Sequence, residues 1–120
     1  LGDRYTGAFS NSDELMSKTV QASILAGENI WRLPMGDEEY DNLNASTVAD
    51  IANCGKKCGA TAAARFLGEF VEKKPWVHLD IAGTSESDED TEIYSKGGTG
   101  AATMLLYEVV KLMEKPYKSY

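Results

Sequence analysis

Residues 75–87 read "PWVHLDIAGTSES", and the way this stretch folds decides the architecture of the chain. Val77, Leu79 and Ile81 alternate with Trp76, His78, Asp80 and Ala82. That period of two belongs to a strand with two distinct faces. Upstream, in "GATAAARFLGEFVEKK" (residues 59–74), Ala62/Ala63, Phe66/Leu67 and Phe70/Val71 recur at every fourth position. This spacing predicts a helix, with Lys73 and Lys74 in its last turn, where the helix dipole favours cations. Pro75 ends it. Downstream, "AATMLLYEVVKLME" (residues 101–114) gathers Leu105, Leu106, Val109, Val110, Leu112 and Met113 into a final apolar helix. Helix, strand, loop and helix in succession give an α/β chain.

The N-terminal third extends the pattern. "RYTGAF" (residues 4–9) contains β-formers broken by Gly7, a short strand at best. Asn11 with Glu14 three residues on resembles a capping box, and Leu15/Met16, Thr19/Val20 and Ser23/Ile24 then form one stripe on a helix that Gly27 stops. Residues 28–46 show no clear period; Pro34 and Gly36 interrupt them, and Asp37, Glu38 and Glu39 read as solvated surface. Ser46 is placed to cap a short helical segment over residues 47–55. The acidic stretch over residues 84–92 reads as a loop, "GGTG" (residues 97–100) as a flexible turn with Thr99 near the cap of the last helix, and residues 115–120 as a frayed tail. So few strands leave sheet edges unpaired. The rest of the sheet is therefore expected in sequence outside these residues, and the isolated chain is expected to self-associate or to be weakly stable.

Composition narrows the function classes. The 120 residues carry a formal net charge of −7, with no run of Lys/Arg longer than two. A phosphate backbone needs a basic patch, so nucleic acid is not an expected partner. No apolar run reaches the roughly 20 residues of a membrane span, so a membrane is not expected either. Cys54 and Cys58 make no disulfide framework, and a reducing cytoplasm is the simpler reading.

Several residue groups invite chemistry. His78 and Asp80 share a strand face, but a zinc site needs three or four protein ligands and His78 is the chain's one histidine. No nucleophile motif accompanies it, so a hydrogen-bonded pair in a packed sheet is the better reading. Cys54 and Cys58 have three residues between them, not the two of redox or zinc motifs, and read as packing residues. "SKGGTGAAT" places its lysine before the glycines, unlike a phosphate loop, and Thr103 stands where a dinucleotide fingerprint needs glycine. The start of the last helix could still attract an anion. The acidic groups lack calcium-loop spacing. "AGTSES" is the stronger lead, because open α/β sheets place ligands beyond the C-terminal ends of strands. Ala82 and Gly83 leave room there, and Ser85 could face a pocket.

"IWRLPM", "VADIANCG", "GATAAARFLGEFV", "PWVHLDIAG" and "YSKGGTGAATMLL" occur in the order and spacing of the C-terminal part of the leucine (cytosol) aminopeptidases. The resemblance runs from residue 1 to about residue 114, and "W-x-HLDIAG" followed by "K-G-x-T-G" is its most specific signature. It implies an α/β catalytic domain with a mixed central sheet flanked by helices. Residues 1–120 would be the C-terminal portion of that domain, a fragment of the sheet. It also implies a hexamer and a pair of divalent metal ions (manganese, zinc or magnesium) that activate water to hydrolyse N-terminal residues from peptides.

The family's metal ligands, a lysine, aspartates and the glutamate of an N-T-D-A-E-G-R stretch, are expected before residue 1. The lysine and arginine of catalysis are expected there too. No residue here is therefore expected as catalytic group or metal ligand, and the chain is expected to be inactive without the remainder of the domain. The resemblance carries over a wall of the pocket for the substrate's first side chain, which maps to Ala82 and Ser85. Methionine is frequent in the family at the second position, so Ser85 makes a smaller and more polar wall. The alternative is a stand-alone scaffold or interaction domain with the same fold and no catalysis.

Overall fold

In the computed structural model, residues 1–36, 48–51 and 59–114 are described. Thr6–Ser10 forms β1, and all five residues are buried. The strand is short but central: β2 (Ile30–Arg32) runs parallel to it on one side and β3 (Val77–Asp80) antiparallel on the other. The register pairs Gly7 with Trp31 and Asp80, and Phe9 with His78. Small residues suit a strand covered on both sides: a Cβ on Gly7 would come within 3.1 Å of Leu33 Cδ1. The result is a mixed sheet, as the family resemblance implies.

The helix α1 spans Asp13–Ala26 and joins β1 to β2. Its N-cap is Ser12, whose side chain accepts the Leu15 N–H at 3.2 Å, and not Asn11. Asn11 serves a longer-range purpose. Its amide donates to Lys74 O at 2.9 Å and its Oδ1 accepts the Trp76 N–H at 3.0 Å, fastening the start of α1 to the segment leading into β3. Gly27 closes α1 in the left-handed region, with φ 69°. The buried side of α1 is Met16, Thr19, Ala22 and Ser23, with the Thr19 and Ser23 hydroxyls donating to Leu15 O and Val20 O. Val20 and Ile24, expected on the core stripe, are exposed. Small residues face inward because another helix packs closely there.

That helix is α3 (Thr103–Met113), and among the described elements its contact with α1 is the most extensive. Leu105 is its one buried residue, and Leu106, Val110 and Met113 are exposed. The intervening helix α2 covers Gly59–Gly68 and buries Ala62 and Ala64. It stops earlier than its spacing predicts. After Gly68 the chain continues in single turns, with Phe70 N–H donating to Leu67 O and Lys74 N–H to Val71 O, and Glu72 and Lys73 adopt positive φ. Lys73 and Lys74 are therefore outside the helix. The Trp76 ring lies against Gly68, where an added Cβ would meet it at 3.2 Å. Arg65 ties α2 to the chain after β2 by donating to Met35 O and Gly36 O.

Two further strands were not expected. Glu86–Ser87 (β4) and Gly97–Gly98 (β5) pair antiparallel, so part of the acidic loop and part of "GGTG" form a small ribbon. The proposed Ser46 cap and most of its segment lie outside the described residues, and residues 48–51 form bends, not helix. Among the described residues, no helix is long and apolar enough to cross a membrane.

Candidate functional site

The end of β3 is shaped by its own side chains and backbone. Asp80 Oδ1 accepts the Ala82 N–H at 3.0 Å, and the Thr84 and Ser85 N–H groups both donate to Ile81 O, at 3.0 and 2.9 Å. This turn places Ala82 and Gly83 on a half-open cleft of about 890 Å³. Thr84 and Glu86 also line it, and Ser85 sits half-buried between them without lining it. The Thr84 hydroxyl lies 2.8 Å from that of Thr6, which fixes the turn against β1.

The room that Gly83 leaves is taken by the N-terminal segment. A Cβ on Gly83 would stand 2.2 Å from the carbonyl oxygen of Gly2. Gly83 is thus a site of close backbone approach as well as a lining residue. Asp3 and Arg4 follow on the cleft's edge. Nothing in the spacing of "LGDRY" signalled this crossing, because it arises from tertiary approach.

The opposite side of the cleft is built from Glu28 and the loop before α3, including Thr99 and Ala101. The N-terminus of α3, considered above as an anion site, is occupied by Glu28. The Ala102 N–H donates to Glu28 Oε1 and the Leu105 N–H to Glu28 Oε2, both at 2.7 Å. Thr99 lies near this cap, as expected. Its hydroxyl accepts the Ala101 N–H at 3.2 Å and donates to Thr84 O at 2.5 Å, and its own N–H donates to Ser85 O at 3.0 Å. Among the described residues, Asp3, Glu28, Glu86, Asp88, Glu89 and Glu92 line the cleft against the single cation Arg4. Such a field favours cationic over anionic ligands.

His78 is a packing residue. Its ring lies 5.8 Å from that of Phe9 and 6.2 Å from that of Trp76. Burial lowers its pKa from the usual 6.5, and the neighbouring Asp80 carboxylate opposes that shift. One Asp80 carboxylate oxygen, Oδ1, is engaged by the Ala82 turn. Among the described residues, no group of three His, Cys, Asp or Glu side chains could hold a metal ion. Cys54, Cys58 and the acidic residues Asp37, Glu38 and Glu39 lie outside the described residues.

Comparison with known proteins identifies the family. The model of the cytosol aminopeptidase family, catalytic domain, matches residues 1–107. A probable cytosol aminopeptidase of Alkaliphilus metalliredigens is 50% identical over 117 residues, which is 96% of this chain and 23% of that protein. Another, of Xanthobacter autotrophicus, is 44% identical over 112 residues, covering 92% of this chain and 22% of the relative. Among solved structures, the bottromycin maturation enzyme BotP in complex with Mn matches with a TM-score of 0.86 and 37% identity, over 94% of this chain and 25% of BotP. The chain thus spans about a quarter of the length of the relatives it matches. It belongs to the cytosol aminopeptidase family.

Proposed function

We propose that this chain supplies one wall of the substrate pocket, and part of the scaffold, of a divalent-metal-dependent aminopeptidase that removes N-terminal residues from peptides. The carrying observation is the turn after β3, which presents Ala82 and Gly83 to a cleft of about 890 Å³. Ala82 gives the substrate's first side chain a small apolar surface. Ser85, held through its backbone by Ile81 and Thr99, faces the part of the pocket completed by the remainder of the catalytic domain. The acidic lining suits a peptide's terminal ammonium group.

The chemistry of a metal pair, when bound, is to polarise the scissile carbonyl and to generate a nucleophile from water. The donor set of the described residues does not fit such a pair, so this wall binds, orients and excludes water. Manganese, zinc or magnesium would be held by the preceding part of the domain; a structure of BotP in complex with Mn favours manganese among the three. Cytoplasmic location and a hexamer are part of the same reading, which takes them from the family. The test is hydrolysis of leucine p-nitroanilide with manganese. The full-length protein should release the amine and the pure 120-residue chain should not. Turnover by the 120-residue chain would overturn the assignment.

A further inference from the structure

We propose that Glu28 is a positioning residue that holds the turn after β3, at Thr84 and Ser85, in place through the N-terminus of α3. The inference rests on the pocket-wall reading above. A helix start leaves backbone N–H groups without partners, and a side-chain oxygen at the N-cap ordinarily accepts one of them. The N-cap of α3 is Ala102, which has no such oxygen and stands at φ 69°. A carboxylate from elsewhere in the fold performs the task. Glu28 accepts both Ala102 N–H and Leu105 N–H at 2.7 Å and sets its charge against the positive end of the helix dipole. Its own place is fixed by the end of α1, where Glu28 N–H donates to Ser23 O at 3.0 Å just after the left-handed Gly27.

The loop that enters α3 is the loop that grips the wall. Thr99 accepts Ala101 N–H, donates its hydroxyl to Thr84 O and donates its N–H to Ser85 O. A continuous bonded path therefore runs from the end of α1 through Glu28, Ala102, Ala101 and Thr99 to Thr84 and Ser85. The β4–β5 ribbon beyond it is only two residues long on each strand and gives little independent support. With Glu28 removed, the first turn of α3 loses its acceptor, and Thr99 holds the wall from a loosened base.

The test uses the full-length enzyme carrying Glu28→Ala, with Glu28→Gln as a milder variant that keeps an acceptor but not the charge. By hydrogen exchange read by mass spectrometry, Glu28→Ala should raise exchange about fivefold over residues 99–105 and also over residues 82–87, the counterpart of one lost cap. KM for leucine p-nitroanilide should rise about fivefold with kcat within about twofold, since binding geometry is lost and the reacting groups are not. Glu28→Gln should fall between Glu28→Ala and the parent, and added formate, filling the vacated cap, should restore KM and exchange in Glu28→Ala. Exchange that rises only over residues 99–105, with KM unchanged, overturns the proposal. Ser85→Met in the same assay separates this from the underlying reading. If Ser85→Met leaves the preference among first residues unchanged, the pocket-wall reading falls; if it shifts the preference while Glu28→Ala moves neither KM nor exchange over residues 82–87, the role of Glu28 alone falls.

Discussion

Replacing Gly83 with alanine sets two effects of opposite sign against each other. The backbone φ of Gly83 is not positive, so alanine is sterically allowed at that residue. The substitution should then stabilise by about 0.4–1 kcal/mol through reduced freedom of the unfolded chain. Against this, the new Cβ would sit 2.2 Å from Gly2 O and 3.2 Å from Gly2 C. To restore an ordinary 3.4 Å contact, the oxygen must retreat by about 1.2 Å. The atom in the way is backbone, which cannot rotate aside as a side-chain end can. Forcing such a backbone shift costs about 1–3 kcal/mol, so at the midpoints of the two ranges the clash outweighs the entropy and the net loss is about 1 kcal/mol. Thermal unfolding of the full-length protein should show a lower Tm for Gly83→Ala. Limited proteolysis should also cut more readily near Gly2. Gly36→Ala, where φ is not positive and a Cβ meets nothing within 4 Å, is the control: it should leave the proteolysis unchanged and keep Tm at or slightly above the parent's. A Gly83→Ala protein as stable as the parent, or more so, would refute the close approach of residue 2 to this turn.

Other outcomes follow from single residues. Asn11→Ala removes both bonds that fasten α1 to the approach to β3 and should cost about 1–2 kcal/mol in urea unfolding; no change in the midpoint would count against the fastening. Burial lowers the pKa of His78 below 6.5, so the unfolded chain binds the proton more readily than the folded one. Its contribution to stability is then present above pH 6.5 and is lost as the pH falls below that value. His78→Phe, which keeps ring packing against Phe9 and Trp76, should flatten the slope of Tm between about pH 7 and pH 5. An unchanged slope would assign it to other groups.

Periodicity made the helices and β3 legible, because alternation at two and recurrence at four report directly on which faces are covered. It misjudged their limits where tertiary contacts intervene. The helical spacing of residues 59–74 continued through Phe70, yet the Trp76 ring packs on Gly68 and the chain leaves the helix there. Ile30–Arg32 escaped notice because three residues carry too little period, and it exists as a strand only because β1 offers a parallel edge. The same applies to the two-residue strands β4 and β5. Of the cleft lining, Ala82 and Gly83 were readable from their place after a strand. Glu28 was not, since its partners are more than seventy residues away in sequence, at Ala102 and Leu105. An unusual helix start without a capping side chain, "GAAT", was the available signal for a distant cap.

The proposed role of the turn after β3 is to form the wall against a substrate's first side chain. The most direct measurement is kcat/KM of the full-length enzyme and its Ser85→Met variant on leucine and alanine p-nitroanilides. A larger, apolar wall should change the leucine-to-alanine ratio by about tenfold, within the range that small changes in a hydrophobic pocket produce, with metal dependence unaltered. A ratio that stays the same within twofold, while both enzymes remain active, would contradict the claim.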